Sequence, residues 1–115
     1  LKIWASNLEL VKHIFDEREF ILTHTHEKTE EQVLDDAVLI KALERSIEII
    51  GEASKKIYDE FKSMHPHIEW KKMAGTRDHL IHHYFGIDYD ILWDIIENKI
   101  PELHLSIKEI LDENQ

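Results

Sequence analysis

One run of apolar residues constrains this chain more than any other feature. Val33, Ala37, Ile40, Leu43, Ile47, Ile50, Ala53, Ile57, Phe61 and Met64 follow one another at intervals of three and four, the repeat of a helix that buries one face. The spacing predicts a single helix of about 35 residues, roughly nine turns. Thr29-Glu-Glu-Gln32 opens it as a capping box, in which the threonine oxygen and the glutamine side chain satisfy amides that a first turn leaves without partners. Pro66 disfavours helix at His65 and closes it. With three glycines and two prolines in 115 residues, the chain lacks the turn signals that a strand-rich fold needs.

Helical spacing continues on both sides. Upstream, Trp4, Leu8, Val11, Phe15 and Leu22 predict an amphipathic helix that ends near the polar stretch THTHEKTE, read as a loop. Downstream, Trp70, Met73, Leu80, Ile81 and Tyr84 trace a third helix. Gly86 and Asp88 mark its end and the N-cap of a fourth, from Tyr89 to about Asn98. Pro101 then opens a short fifth helix that runs to about Asp112. Short connections between long amphipathic helices make neighbours antiparallel. The expected fold is all-α, an up-and-down antiparallel four-helix bundle with a short fifth C-terminal helix, in a single domain over residues 1–115.

Composition removes several classes of function. The chain has no cysteine, which excludes disulfides, thiolate-bound zinc and a thiol nucleophile. No apolar run approaches the roughly 20 residues that a membrane span needs, so the chain reads as soluble and cytoplasmic, without membrane contact. The balance of 14 basic against 24 acidic residues gives a net charge of −10. That charge is unevenly spread: residues 55–77 hold six basic residues (Lys55, Lys56, Lys62, Lys71, Lys72, Arg77) against three acidic ones (Asp59, Glu60, Glu69). A locally basic segment in an acidic chain suits phosphate binding, although a solvated helix face has the same appearance.

Five of the nine histidines fall between residues 65 and 83, beside this basic segment. An always-charged guanidinium clamps phosphate, and an imidazole moves protons near neutral pH. Arg77 and His82 together can therefore cleave a phosphodiester without a metal, His82 taking the proton of a ribose 2′-hydroxyl while Arg77 stabilises the charge on the phosphorane oxygens. The substrate of that chemistry is RNA. On a straight helix at 100° per residue Tyr84 lies within about 20° of Arg77, but His82 lies about 140° away. Convergence needs a distorted helix, an arginine that reaches around, or a second protomer. A competing pattern is His79 with His83, about 40° apart on a helix and spaced as a metal pair, with His65, His67 or a carboxylate as a third ligand. His24 and His26 read as solvated loop residues, and Trp4, Trp70 and Trp93 as core.

The segment RDHLIHHY, residues 77–84, resembles the Arg-x4-His-x-Tyr signature of the HEPN superfamily as it occurs in HepT-like toxins. The resemblance extends through DDAVLIKALERSIEIIGEASKKI (35–57), with Gly51-Glu52-Ala53, and through Trp70, Gly75, Tyr84-Phe85-Gly86-Ile87-Asp88, Trp93 and Pro101-Glu102-Leu103. It implies a metal-independent endoribonuclease toxin that needs no cofactor and acts as a homodimer, with two motifs facing a shared cleft. Arg77 and His82 would be the catalytic pair, with Asp78 supporting them and Lys71, Lys72 and Arg77 holding RNA. Tyr84 would be the residue to which a minimal nucleotidyltransferase antitoxin attaches AMP, adding charge and bulk at the mouth of the site. Position 83 departs from the pattern, carrying histidine where many relatives have a small or polar residue. A helical module that binds a nucleotidyltransferase without cutting RNA is the alternative.

Overall fold

The computed structural model describes residues 2–80 and 88–113, apart from the side chains of residues 2–6, Arg77, His79 and 104–107. Among the described residues all regular structure is helical, as the turn-poor sequence requires. The elements are α1 (Lys2–Thr25), α2 (Glu30–Leu34), α3 (Ala37–Lys56), α4 (Asp59–Met64), α5 (Trp70–Leu80), α6 (Tyr89–Asp94), a π-helical turn (Ile95–Lys99) and α7 (Ile100–Glu113). Helix α3 packs on α1 and α5, α1 packs on α7, and α6 touches α5. These helices close a bundle around Val11, Ile14, Ile21, Leu43, Ile47, Leu80, Leu92 and Ile110, each 1% exposed or less. Burying one such side chain contributes about 1.5–3 kcal/mol.

The expected 35-residue helix is three helices. The capping box forms as read, with Gln32 N–H donating to Thr29 Oγ1 at 3.2 Å and Thr29 N–H to Gln32 Oε1 at 2.9 Å. The first break follows α2, where Asp36 takes an extended conformation and its Oδ1 accepts from Leu39 N–H at 3.0 Å. Aspartate competes with the helix for its own backbone and so prefers the cap. The second break is set from outside the segment. Ile57 and Tyr58 are extended, and Tyr58 N–H donates at 3.1 Å to Oδ1 of Asn7 on α1, a side chain with no exposure. That bond also shows that α1 and α3 run antiparallel, because it joins the start of one to the end of the other. The third end is as expected: α4 stops at Met64, and His65 before Pro66 is not helical.

In helix α1 Val11 is buried as expected, but the other fully buried positions lie one residue from the expected Leu8, Phe15 and Leu22, between them or beyond them. The fully buried positions are Asn7, Val11, Ile14, Arg18, Ile21 and Thr25, a regular alternation of four and three, while Leu8, Phe15 and Leu22 are half-buried. Three of the six are polar, so hydrophobicity alone passes over them. Each has a partner: besides Asn7, Thr25 Oγ1 donates to Ile21 O at 2.7 Å, and Arg18 Nε donates to Ile100 O at 3.2 Å. Arg18 is 3% exposed and also pairs with the Glu19 carboxylate. Burial lowers the Arg18 pKa and Glu19 offsets this, and a guanidinium keeps its charge in such surroundings.

The fourth and fifth helices are continuous rather than separate. Proline inside a helix removes a donor and crowds the carbonyl one turn back. Here the turn before Pro101 widens to π-helix, with Ile100 N–H donating to Ile95 O, and the rod runs on from Tyr89 to Glu113 without a loop. At Gly51 the backbone of α5 crosses close over α3: a Cβ there would be in van der Waals contact with the Met73 carbonyl oxygen at 3.4 Å and that of Ala74 at 3.5 Å. Trp70 is core as expected at 6% exposure, Trp93 is half-buried, and the side chain of Trp4 lies outside the described residues.

Candidate functional site

Helix α5 carries the sequence motif toward the bundle's end. Its last residue, Leu80, has no exposure, and the Leu80 carbonyl accepts from Asp88 N–H at 2.8 Å. A straight helix would put Asp88 about 12 Å farther along the axis, so the chain returns to the end of α5 at this bond. Asp88 is the expected N-cap of α6, its Oδ1 accepting from Asp90 N–H at 3.1 Å and Ile91 N–H at 3.2 Å. His82, His83 and Tyr84 lie between these two anchored ends, outside the described residues. Arg77, Asp78 and His79 are in the final turn of α5. Asp78 is exposed, while the side chains of Arg77 and His79 are outside the description.

Of the two histidines nearer the start of α5, one has a structural role. His65 is buried between helices, with its ring 5.1 Å from that of Phe61, and its carbonyl accepts from Trp70 Nε1 at 3.1 Å. His67 is exposed, with Nε2 3.8 Å from the Glu109 carboxylate on α7. Among the described residues no group of three or more His, Asp or Glu side chains could hold a metal ion. The pair His79 and His83 falls outside that description. His24 lies in the last turn of α1 rather than in a loop, exposed with its ring 4.4 Å from that of Phe20; His26 is exposed beyond the helix.

Between α5 and the rod of α6, the π turn and α7 runs a groove of about 1080 Å³. Its floor is the α3 face at Ile47 and Ile50, and its walls include Met73, Ile91, Ile95 and Leu103. Lys71 and Lys72, the expected phosphate binders, stand exposed on the α5 rim. They are not equivalent. Lys72 Nζ lies 2.9 Å from Glu69 Oε2 one turn back, and this hydrogen bond and charge hold the Glu69 carboxyl below its ordinary value, with a smaller contribution from Lys99. Lys71 has no ion pair of its own among the described residues. Lys99, on the opposite rim, was not singled out in the sequence. Only the tertiary pairing of α5 with the π turn brings it to the same opening.

Comparison with known proteins agrees with the family resemblance of the sequence. A family model for HepT-like ribonucleases matches residues 9–110. A protein of Caldanaerobacter subterraneus subsp. tengcongensis, provisionally named as an RNase, is 44% identical over 105 residues, covering 91% of this chain and 94% of its own. A second of that provisional name, from Methanocaldococcus jannaschii, is 44% identical over 98 residues, covering 85% and 81% of the two chains. A Thermococcus cleftensis protein named as a probable ribonuclease HepT is 43% identical over 98 residues, covering 85% and 89%. No solved structure is a significant match. No helix among the described residues is long and apolar enough to cross a membrane. With the match spanning the bundle from α1 to α7, the chain belongs to the HepT-like ribonuclease family.

Proposed function

We propose that this chain is a metal-independent endoribonuclease whose reacting groups are Arg77 and His82. The observation that carries the reading is a family match across residues 9–110 in a sequence that keeps arginine, histidine and tyrosine at 77, 82 and 84. His82 takes the proton from a ribose 2′-hydroxyl, whose oxygen attacks the adjacent phosphorus. The bond to the 5′-oxygen breaks, that oxygen receives a proton, and the strand is left with a cyclic phosphate and a free 5′-hydroxyl. Arg77 stabilises the charge that gathers on the phosphorane oxygens, a contribution that fixed donors make most strongly in a site from which water is excluded. Asp78 supports the pair, and Lys71 and Lys72 hold flanking phosphates.

The protein acts in the cytoplasm as a homodimeric toxin, silenced when a minimal nucleotidyltransferase adds AMP to Tyr84. The test is expression in cells with and without such a partner. The parent is expected to arrest growth, His82→Ala not to, and the partner to add AMP mass to the parent but not to Tyr84→Phe. Growth arrest by His82→Ala equal to the parent's would refute the catalytic assignment. Modification of Tyr84→Phe to the same extent would refute the acceptor.

A further inference from the structure

The groove beside α5 is larger than the bundle requires. Its volume of about 1080 Å³ is at the upper end for sites that hold small organic ligands, and an open apolar lining forfeits dispersion contacts that close packing would supply. Met73, Ile91 and Leu103 are accordingly left half-buried. The rim is polar in a particular way. Of its carboxylates, Glu69 is paired with Lys72 at 2.9 Å, Asp94 accepts from Asn98 Nδ2 at 2.7 Å and keeps its charge, and Glu102 is exposed on α7. Lys71 and Lys99 are in no ion pair within 4 Å among the described residues. Lys71 on α5 and Lys99 on the rod, on opposite walls of an apolar opening, suit a ligand that is flat and apolar in its body and anionic at its ends. A nucleotide has that form.

The π turn builds this site. On an uninterrupted α-helix Ile95 and Leu103 lie about 80° apart. The extra residue taken up between Ile95 and Ile100 brings them within about 20°, so both line the groove, with Lys99 at its mouth. The groove also reaches Thr76, the residue before Arg77, and Lys71 lies about 9 Å from Arg77 along the α5 axis.

We infer that this groove is a nucleotide subsite of the ribonuclease. The base of one unpaired nucleotide of the RNA strand lies between Met73 of α5 and Ile91 and Leu103 of the rod, with its flanking phosphates against Lys71 and Lys99. The inference rests on the ribonuclease reading. Apolar side chains grip a base only when it has left its stack, so single-stranded RNA is the form bound.

The test measures binding of a fluorescein-labelled 2′-O-methyl RNA, which cannot be cut by 2′-hydroxyl attack, to the full chain by anisotropy. A duplex of equal length is run beside it. Lys99→Glu is expected to weaken single-strand binding at least tenfold, and Lys12→Glu, which changes net charge equally at an exposed position of α1 that does not line the groove, less than twofold. Met73→Trp fills the groove and is expected to weaken binding at least tenfold with helicity retained; Leu103→Trp repeats the test from the other wall if the first variant does not fold. The duplex is expected to bind at least tenfold more weakly than the single strand. Equal losses in Lys99→Glu and Lys12→Glu, or parental affinity in the filled variants, would overturn the subsite. A change of oligomeric state in the filled variants with RNA affinity intact would overturn it too, because the groove would then be a protein interface. Cleavage of natural RNA with groove-independent binding refutes the subsite alone; groove-dependent binding without cleavage refutes the ribonuclease reading and leaves the subsite standing.

Discussion

Where α1 and α3 pack, Val11, Ile14, Ile21, Leu43 and Ile47 are 1% exposed or less; where α5 faces the rod of α6 and α7, Met73, Ile91 and Leu103 remain half-buried around a groove. Both pairs are made of the same aliphatic residue types. What differs is closure. The α1 and α3 helices are long and regularly spaced, and Asn7 ties the end of one to the start of the other. Helix α5 faces a partner that contains a π turn, which rotates the lining. One pair carries the stability that lets the other stay open.

The largest effect should fall on the closed pair. Leu43→Ala is expected to cost about 3 kcal/mol of unfolding free energy, since a fully buried leucine leaves a cavity that its neighbours only partly fill. Leu103→Ala, at the groove, should cost about 1 kcal/mol. Denaturant titration of both variants decides, and equal losses would abolish the distinction between scaffold and site. Next is Arg18, which joins the two pairs by spanning from α1 to the Ile100 carbonyl beside the π turn. Arg18→Ala should cost about 2 kcal/mol by removing buried packing and a charged hydrogen bond, and Arg18→Met about half of that. If Met and Ala are equally damaging, the hydrogen bond rather than the packing dominates.

A smaller change tests how the motif segment is anchored. Asp88→Ala removes the cap of α6 and should cost about 1 kcal/mol, with faster hydrogen exchange at the Asp88 amide that bonds Leu80. Asp88→Asn should restore both. The smallest effect is electrostatic. Lys72 lowers the Glu69 pKa, so the pair's stabilisation is present above the ordinary glutamate value and is lost as pH falls through the lowered one. Glu69 is exposed, so the change in stability is slight. By NMR titration Glu69 should return toward its ordinary value in Lys72→Ala, and an unchanged titration would show that the bond at 2.9 Å does not persist in solution.

The sequence exposed those parts of the fold that are local. The helical repeat, the Thr29 capping box, the Asp88 N-cap and the stop before Pro66 each depend on residues within one or two turns. It did not expose what distant residues decide. Nothing near Tyr58 announces the break there, because the acceptor that stabilises it is Asn7 on another helix. Nothing near Arg18 marks it as buried, for the same reason, its partner lying at Ile100. Asp35-Asp36 did contain a local signal for the first break, but the unbroken apolar spacing masked it. At the site, Lys71 and Lys72 were evident as a basic segment, whereas Lys99 was not, since its role depends on which helix faces α5. Pro101 signalled an interruption without showing that a π turn would absorb it.

The most direct measurement is cleavage of a mixed RNA and tRNA substrate by the purified chain in EDTA, with His82→Ala and Arg77→Ala alongside. General acid–base groups contribute about 10²–10⁴-fold to such reactions. The parent should therefore cut RNA without metal, and each variant should be at least about 100-fold slower. Parental cleavage by His82→Ala, or cleavage by the parent only after a divalent metal is restored, would contradict the account.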